Sequence, residues 1–253
     1  MSAAAAIAAL PPLHLQGRGR CCTIRRPVFL APMDGITDHI FRRLVVELGG
    51  VEAVCSEFAR ISVAPLPLRS LRRCFGAPLP GVVNGLQLMA PDAQHLAATA
   101  ARVAACGADV LDLNFGCPVK RVVNKCAGSA LLAHPDRMAA IVRCAVEHQP
   151  LPVTVKMRPG IADADRLEEI LDAVCNAGAA LVALHHRLRV HSYRERPSWD
   201  VLRRAAGHLH RHWPGVPLIG NGGIDTPMDA ARMLQETGVD GIMVGQAALA
   251  DPF

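Results

Sequence analysis

The sequence predicts an α/β fold, and within that class a closed (β/α)8 TIM barrel. Three observations lead there. Short apolar runs recur eight times, near residues 28–31, 53–55, 82–88, 109–113, 153–157, 181–184, 216–219 and 241–244. A helical stretch separates most of them, which is the pattern of parallel β/α units. The chain has 253 residues, close to the roughly 250 that one such barrel needs. Eight units at this length favour closure over an open doubly wound sheet.

Residues 1–26 are alanine-rich and then carry prolines and arginines. Ala3 to Leu10 is apolar, but no positive charge precedes it and Pro11 and Pro12 follow at once. That is not the basic-then-apolar order of a secretory signal. Arg18, Arg20, Arg25 and Arg26, with no acidic residue before Asp34, leave a transit-type leader as an alternative. The preferred expectation is a disordered or over-long tail over 1–26, with one barrel domain over 27–253. Between strands, Asp92 to Cys106 places Leu96, Ala100, Val103 and Ala104 on one helical face and stops at Gly107. Leu167, Ile170, Leu171 and Val174 repeat the pattern before Gly178. Thr226-Pro-Met-Asp229 reads as an N-cap, a proline at the first helical position and an acidic third residue, in a helix ending at Gly238. After the eighth strand only Gln246 to Phe253 remain, so the closing outer helix is expected to be lacking.

Composition narrows the partners. The net charge is +5, which permits a polyanionic partner without demanding one. Among the 27 basic residues only Lys120, Lys125 and Lys156 are lysines; arginine's planar fork suits phosphates, and compositional bias explains the skew equally well. The nine cysteines contain no Cys-x-x-Cys pair, so no metal is expected and free thiols in a reducing cytoplasm are the better account. No apolar run approaches the roughly 18 residues of a membrane span, and a cytoplasmic monomer is expected.

In a barrel of this kind chemistry gathers at the C-terminal ends of the strands, and the informative residues fall there repeatedly. Pro32, Met33 and Asp34 follow the first strand and Gln87 ends the third. Asn114 and Cys117 follow the fourth, within Leu113-Asn-Phe-Gly-Cys-Pro118, where glycine and proline force a turn. Lys156 and Arg158 end the fifth, His185 and Arg187 the sixth, Asn221-Gly-Gly223 the seventh, and Gly245-Gln246 the eighth. Glycine-bearing turns after strands seven and eight make a ready phosphate site. A flavin mononucleotide anchored there would reach Lys156, Gln87 and Met33. No G-x-G-x-x-G run supports a tightly held nicotinamide cofactor. Cys117 suits a proton donor, since a thiol with a pKa of about 8.5 stays mostly protonated near neutrality; pairing with His185 as a nucleophile is the other option. His208-x-His-x-His212 reads as a solvated face rather than a metal site. Arg69, Arg72 and Arg73 are placed in the loop before the third strand, as ordinary surface charge or as contacts for RNA phosphates.

Asn114-Phe-Gly-Cys-Pro118 and Gly128-Ser-Ala-Leu-Leu132 resemble the flavin-dependent tRNA-dihydrouridine synthases. The likeness extends through Ala31-Pro-Met-Asp-Gly-Ile-Thr-Asp38, Gln87-Leu, Val153-Thr-Val-Lys-Met-Arg158, His185-x-Arg187 with Tyr193, Asn221-Gly-Gly-Ile224 and Gly245-x-Ala-Ala-Leu249. Ser56-Glu-Phe-Ala-Arg60 is most similar to the bacterial branch acting on uridine 16. The resemblance implies bound FMN, transient reduction by NADPH, and a tRNA substrate whose flipped-out uracil takes a hydride at C6 and a proton from Cys117 at C5. By the same resemblance Asn114, Arg187 and Tyr193 hold the base. Pro32, Met33, Asp34, Gln87, Lys156 and His185 contact the flavin, and Asn221, Gly222, Gly223, Gly245 and Gln246 its phosphate arm. Three departures stand out: Gln246 occupies the family's usual arginine position, His186 replaces a glycine, and family members continue into a C-terminal helical domain that helps grip tRNA. That segment, or a partner supplying it, is expected to be needed for tRNA grip. A small-molecule FMN reductase and a barrel that binds without turnover are the competing readings.

Overall fold

In the computed structural model, which describes residues 3–192, 194–195 and 197–250, the chain opens with a short helix and a hairpin. These are α1 (Ala3–Ala8), β1 (Leu13–Gln16) and β2 (Cys21–Ile24). The barrel units follow: β3 (Val28–Leu30) and α2 (His39–Leu48), then β4 (Ala53–Cys55), the two-residue β5 (Ala59–Arg60) and α3 (Leu68–Phe75). Next come β6 (Val83–Met89), α4 (Leu96–Ala100), β7 (Val110–Phe115), α5 (Lys120–Val123), α6 (Pro135–His148) and β8 (Val153–Met157). The last third holds α7 (Leu167–Asn176), β9 (Leu181–His185), α8 (Asp200–His212), β10 (Leu218–Asn221), α9 (Pro227–Thr237), β11 (Gly241–Val244) and α10 (Ala247–Ala250).

Eight of the strands form one parallel ring. It runs β3–β4–β6–β7–β8–β9–β10–β11 and returns to β3, with Ala53 against Val83 and Ile242 against Val28 among the registers. Alternation along each strand sorts the side chains. Leu111, Leu113, Phe115, Val153, Val155 and Met157 join the apolar layer shared with the helices. Val83, Val110, Leu181, Ala183 and Ile219 point into the barrel and fill its lower half. Higher up, the inward positions turn polar: Gln87, Asp112, Asn114, Thr154 and Asn221 are all buried. An apolar floor with a polar storey above it places the chemistry at the strands' C-terminal ends.

The amino-terminal segment corrects the expectation of a disordered tail. Leu13 and Leu15 alternate with exposed residues along β1, and both pack with Ile24, Phe29, Val110 and Ile219. The hairpin is therefore the plug of the barrel's lower end. Its turn is held by Gly19 and Arg20 N–H groups donating to the Pro150 carbonyl, each at 3.0 Å. A Cβ at Gly17 would lie 2.4 Å from the Leu151 carbonyl carbon, so only glycine fits that crossing. Arg26 pairs with Glu52 at 2.9 Å, and Ala6 of α1 packs on Ala231 of α9. Alanine, proline and arginine content hid a period-two pattern only four residues long.

Two further differences are local. The helix expected over Asp92–Cys106 breaks after Ala100: Arg102 and Val103 bond three residues back, and a 3-10 turn, Ala104–Cys106, ends at Gly107 with φ of 87°. Leu96, Ala100 and Val103 are fully buried as expected, whereas Ala104 is only partly so. Arg69, Arg72 and Arg73 lie on α3 rather than in a loop. The start of α9 matches its sequence signature, with Thr226 Oγ1 accepting from the Asp229 N–H at 3.2 Å and Asp229 Oδ2 from the Thr226 N–H at 2.9 Å.

Because Leu15 is 1% exposed, truncating it opens a cavity in the floor. Leu15→Ala is expected to cost about 3 kcal/mol, measured as a lower urea midpoint; a disordered tail would show no change.

Candidate active site

A cavity of about 400 Å³ opens at the mouth of the barrel, walled by residues from the ends of β3, β7, β8, β9, β10 and β11. Cys117 sits in this wall on a turn tied down from several sides. Asn114 Oδ1 accepts from the N–H groups of Gly116 at 3.1 Å and Cys117 at 3.0 Å. The Cys117 carbonyl accepts from Ser129 Oγ at 2.8 Å and from the Ser129 N–H at 3.1 Å. Gly128 has φ of +59°, and a Cβ there would stand 2.9 Å from that carbonyl, so the close approach requires glycine. Arg158 Nε donates to the Gly116 carbonyl at 3.0 Å, and its Nη1 to the Leu188 carbonyl at 2.8 Å. One buried guanidinium thus joins the cysteine turn to the segment after β9. Burial raises the Cys117 thiol above its ordinary range, against a smaller opposing hydrogen bond at Val119, so it is a protonated thiol at neutral pH.

Lys156 adds a positive charge to those of Arg158 and Arg187 in the cavity wall. Its Nζ donates to Asn221 Oδ1 at 2.8 Å, while Asn221 Nδ2 donates to the Met243 carbonyl at 2.8 Å. Burial, and then Arg158, lower the lysine to about 8, with Asp112 pulling the other way. His185 Nδ1 accepts from the Arg187 N–H at 3.1 Å, which puts the ring proton on Nε2. Desolvation, followed by Lys156 and Arg158, drives His185 well below its usual value, so the ring is neutral. Gly222 and Gly223 have φ of +96° and +74°, and a Cβ at Gly222 would lie 2.8 Å from His186 and 3.0 Å from His185. Trp199 Nε1 donates to the Gly222 carbonyl at 3.2 Å.

Most of the expected residues meet at this cavity: Pro32, Met33, Asp34, Asn114, Cys117, Lys156, His185, Arg187, Asn221, Gly222, Gly223, Gly245 and Gln246 all line it. Gln87 does not. It is fully buried, with Nε2 donating to Asp112 Oδ2 at 2.7 Å and Oε1 accepting from Asn114 Nδ2 at 2.8 Å. Both ends of its amide are bonded within the protein. Tyr193 lies outside the described residues. Asp34 is paired with Arg121 of α5 at 3.2 Å. His208 and His210 are each held by a carboxylate, Asp172 at 2.7 Å and Asp240 at 3.1 Å. Among the described residues no group of three or more His, Cys, Asp and Glu side chains could hold a metal, and no helix is long and apolar enough to cross a membrane. Asp112, Thr154 and Trp199 were not singled out from the sequence; the inward period of β7 and β8 is the signal that points to the first two.

The model of the family described as dihydrouridine synthase (Dus) matches residues 29–253. The chain belongs to the dihydrouridine synthase family. Among its relatives, the tRNA-dihydrouridine(16) synthase of Cupriavidus necator is 36% identical, covering 89% of this chain and 71% of that protein. The tRNA-dihydrouridine(16) synthase of Ralstonia nicotianae is 35% identical over 89% of this chain and 70% of its own length. A probable tRNA-dihydrouridine synthase of Rhizobium leguminosarum is 35% identical over 91% and 71%. Dihydrouridine synthases are flavin enzymes, and the residues here fit a flavin. The Gly222–Gly223 turn offers backbone N–H groups without Cβ atoms, Lys156 has a neutral amide oxygen as its hydrogen-bond partner, and the cavity falls within the 300–1,000 Å³ of cofactor sites.

The lowered Lys156 pKa has a stability consequence. Between about 8 and 10.5 the unfolded lysine holds a proton that the folded one has released, so this group's penalty is complete below pH 8 and fades as pH rises through that window. Lys156→Met is expected to melt above the parent protein at pH 7, with the gap closing toward pH 10.5 in thermal scans.

Proposed function

We propose that this chain reduces a uridine of tRNA to 5,6-dihydrouridine, with FMN held at the barrel mouth and NADPH as the transient reductant. The observation that carries the reading is a half-buried thiol, Cys117, fixed in the wall of the same cavity as Lys156, His185 and the Gly222–Gly223 turn. The flavin, once reduced, supplies the hydride that adds to C6 of the uracil. Cys117 gives its proton to C5 and regains one from solvent, so that uridine, NADPH and one proton become dihydrouridine and NADP⁺. The raised thiol pKa keeps that proton in place at neutral pH.

Lys156 and the neutral His185, donating through Nε2, would hold the polar edge of the flavin. Gly222 and Gly223, with Gly245 and Gln246, receive its phosphate arm. Gln246 brings an amide where a positive charge is usual in the family, which leaves Lys156, Arg158 and Arg187 as the cations lining the cavity. Pro32 and Met33, which line the cavity after β3, would contact the flavin. Arg187, which lines the cavity, would hold the extruded base. Asn114 contributes by holding the Cys117 turn, since both the acceptor and the donor end of its amide bond within the protein. The base must leave its stack to lie flat in such a pocket. The names of the Cupriavidus and Ralstonia relatives support uridine 16 as the position reduced.

The test uses tRNA lacking dihydrouridine, incubated with the chain, FMN and NADPH and digested for nucleoside mass spectrometry. Dihydrouridine is expected at position 16, and Cys117→Ala is expected to slow its formation by about 10²–10⁴-fold with flavin binding retained. An unchanged rate in Cys117→Ala, or no dihydrouridine from the parent chain, overturns the reading.

A further inference from the structure

Behind the cavity wall runs a line of buried polar groups that the reaction itself does not use. Thr154 on β8, Asp112 on β7 and Gln87 on β6 stand opposite one another in register, as one inward-facing layer across three adjacent strands. Asn114 and Lys156 form the layer above, also in register. Thr154 Oγ1 donates to Asp112 Oδ1 at 2.5 Å, Gln87 Nε2 to Asp112 Oδ2 at 2.7 Å, and Asn114 Nδ2 to Gln87 Oε1 at 2.8 Å. Asn114 Oδ1 then accepts from the Gly116 and Cys117 N–H groups. Gln87 and Thr154 are at most 4% exposed, Asp112 7% and Asn114 8%.

The direction of every bond in this chain is dictated by its first member. A carboxylate only accepts, so Gln87 must turn its amide nitrogen toward Asp112 and its oxygen toward Asn114. Asn114 must answer with nitrogen, which leaves its oxygen facing the cysteine turn. Were Asn114 reversed, its nitrogen would face the N–H groups of Gly116 and Cys117; were Gln87 reversed, its oxygen would face the carboxylate and its nitrogen that of Asn114, so either reversal leaves buried polar groups unpaired. We propose that Asp112, acting through Gln87, is a positioning residue that sets the orientation of Asn114 and so holds the Cys117 turn in its reactive geometry. This deepens the proposed function and rests on it only for the catalytic role of Cys117.

The need is for an acceptor at position 112 rather than for a full charge. Burial raises Asp112 to about 6, against the lowering effect of the Gln87 and Thr154 bonds. A protonated carboxyl can still accept from Gln87 through its carbonyl oxygen while its O–H faces Thr154. An asparagine can do the same, its nitrogen donating to the Thr154 hydroxyl.

The test reads the turn directly, in the flavin-free chain, by peptide-resolved mass spectrometry of iodoacetamide labelling. Cys126 is exposed and serves as the internal reference. Asp112→Leu is expected to raise the labelling rate of Cys117 relative to Cys126 by about tenfold, the order lost with one buried hydrogen bond, while Asp112→Asn stays within about twofold of the parent. Gln87→Met, similar in size and without polar atoms, is expected to behave like Asp112→Leu and carries the test should the leucine variant fail to fold. In the tRNA assay the same variants are expected to lower kcat by about tenfold with KM for tRNA unchanged, and Asp112→Asn to restore it. Parent-like labelling of Cys117 in both Asp112→Leu and Gln87→Met overturns the proposal, as does Asp112→Asn labelling as fast as Asp112→Leu. The labelling arm stands even if the chain reduces no tRNA, so the two readings fail separately.

Discussion

Closure of the sheet is the constraint on which everything else depends. Once β4 pairs with β6 and β11 with β3, all eight strands point the same way and no edge is left to pair elsewhere. Every C-terminal strand end then shares one rim. The interior must also be filled, because a barrel of eight strands holds only layers of side chains. Here the lower layers are apolar and are sealed by Leu13, Leu15 and Ile24 of the hairpin. The upper layers are polar, and each polar group brings the requirement of a partner.

That requirement shapes the site. Lys156, Asn221 and the Met243 carbonyl form one line of bonds across the rim, and Thr154, Asp112, Gln87 and Asn114 form another beneath it. The first leaves a positive charge facing an open cavity; the second supports the turn that carries the thiol. Among the described residues His186 is the exception, 2% exposed with no hydrogen-bond partner at either ring nitrogen. Burial, then Arg187, lowers it to about 4, so a neutral ring takes up the space beside Gly222 and Gly223 that a glycine in its place would leave open.

Much of this was legible in the residues. The eight apolar runs fell on the eight barrel strands, because inward and helix-facing positions are both buried in a parallel sheet and the run stays apolar. Thr226-Pro-Met-Asp229 and Gly238 marked their helix because caps are local chemistry. The polar residues at the strand ends, Gln87 apart, converged on one cavity, since topology puts them there. What failed was long-range. The hairpin's four-residue alternation of Leu13 and Leu15 has meaning only against the floor it plugs, and alanine, proline and arginine nearby suggest a tail. The arginines expected in a loop lie on α3, which begins directly after Pro67, where a proline is compatible with a helix start. Gln87 was correctly placed at a strand end, yet its two amide bonds depend on β7, which no local pattern reveals. Asp112 was passed over for the same reason, as one polar residue inside an apolar strand.

The central claim is that this rim is a flavin site organised around Lys156 and the Gly222–Gly223 turn. Its most direct measurement is a visible absorbance titration of the purified chain with FMN, alongside Gly222→Val, which places side-chain atoms where a Cβ already lies 2.8 Å from His186. A saturable shift of the flavin band in the parent chain, weakened at least tenfold in the variant, is the predicted result. Flavin spectra that do not change on mixing with the parent chain, or that change identically with the variant, would contradict it.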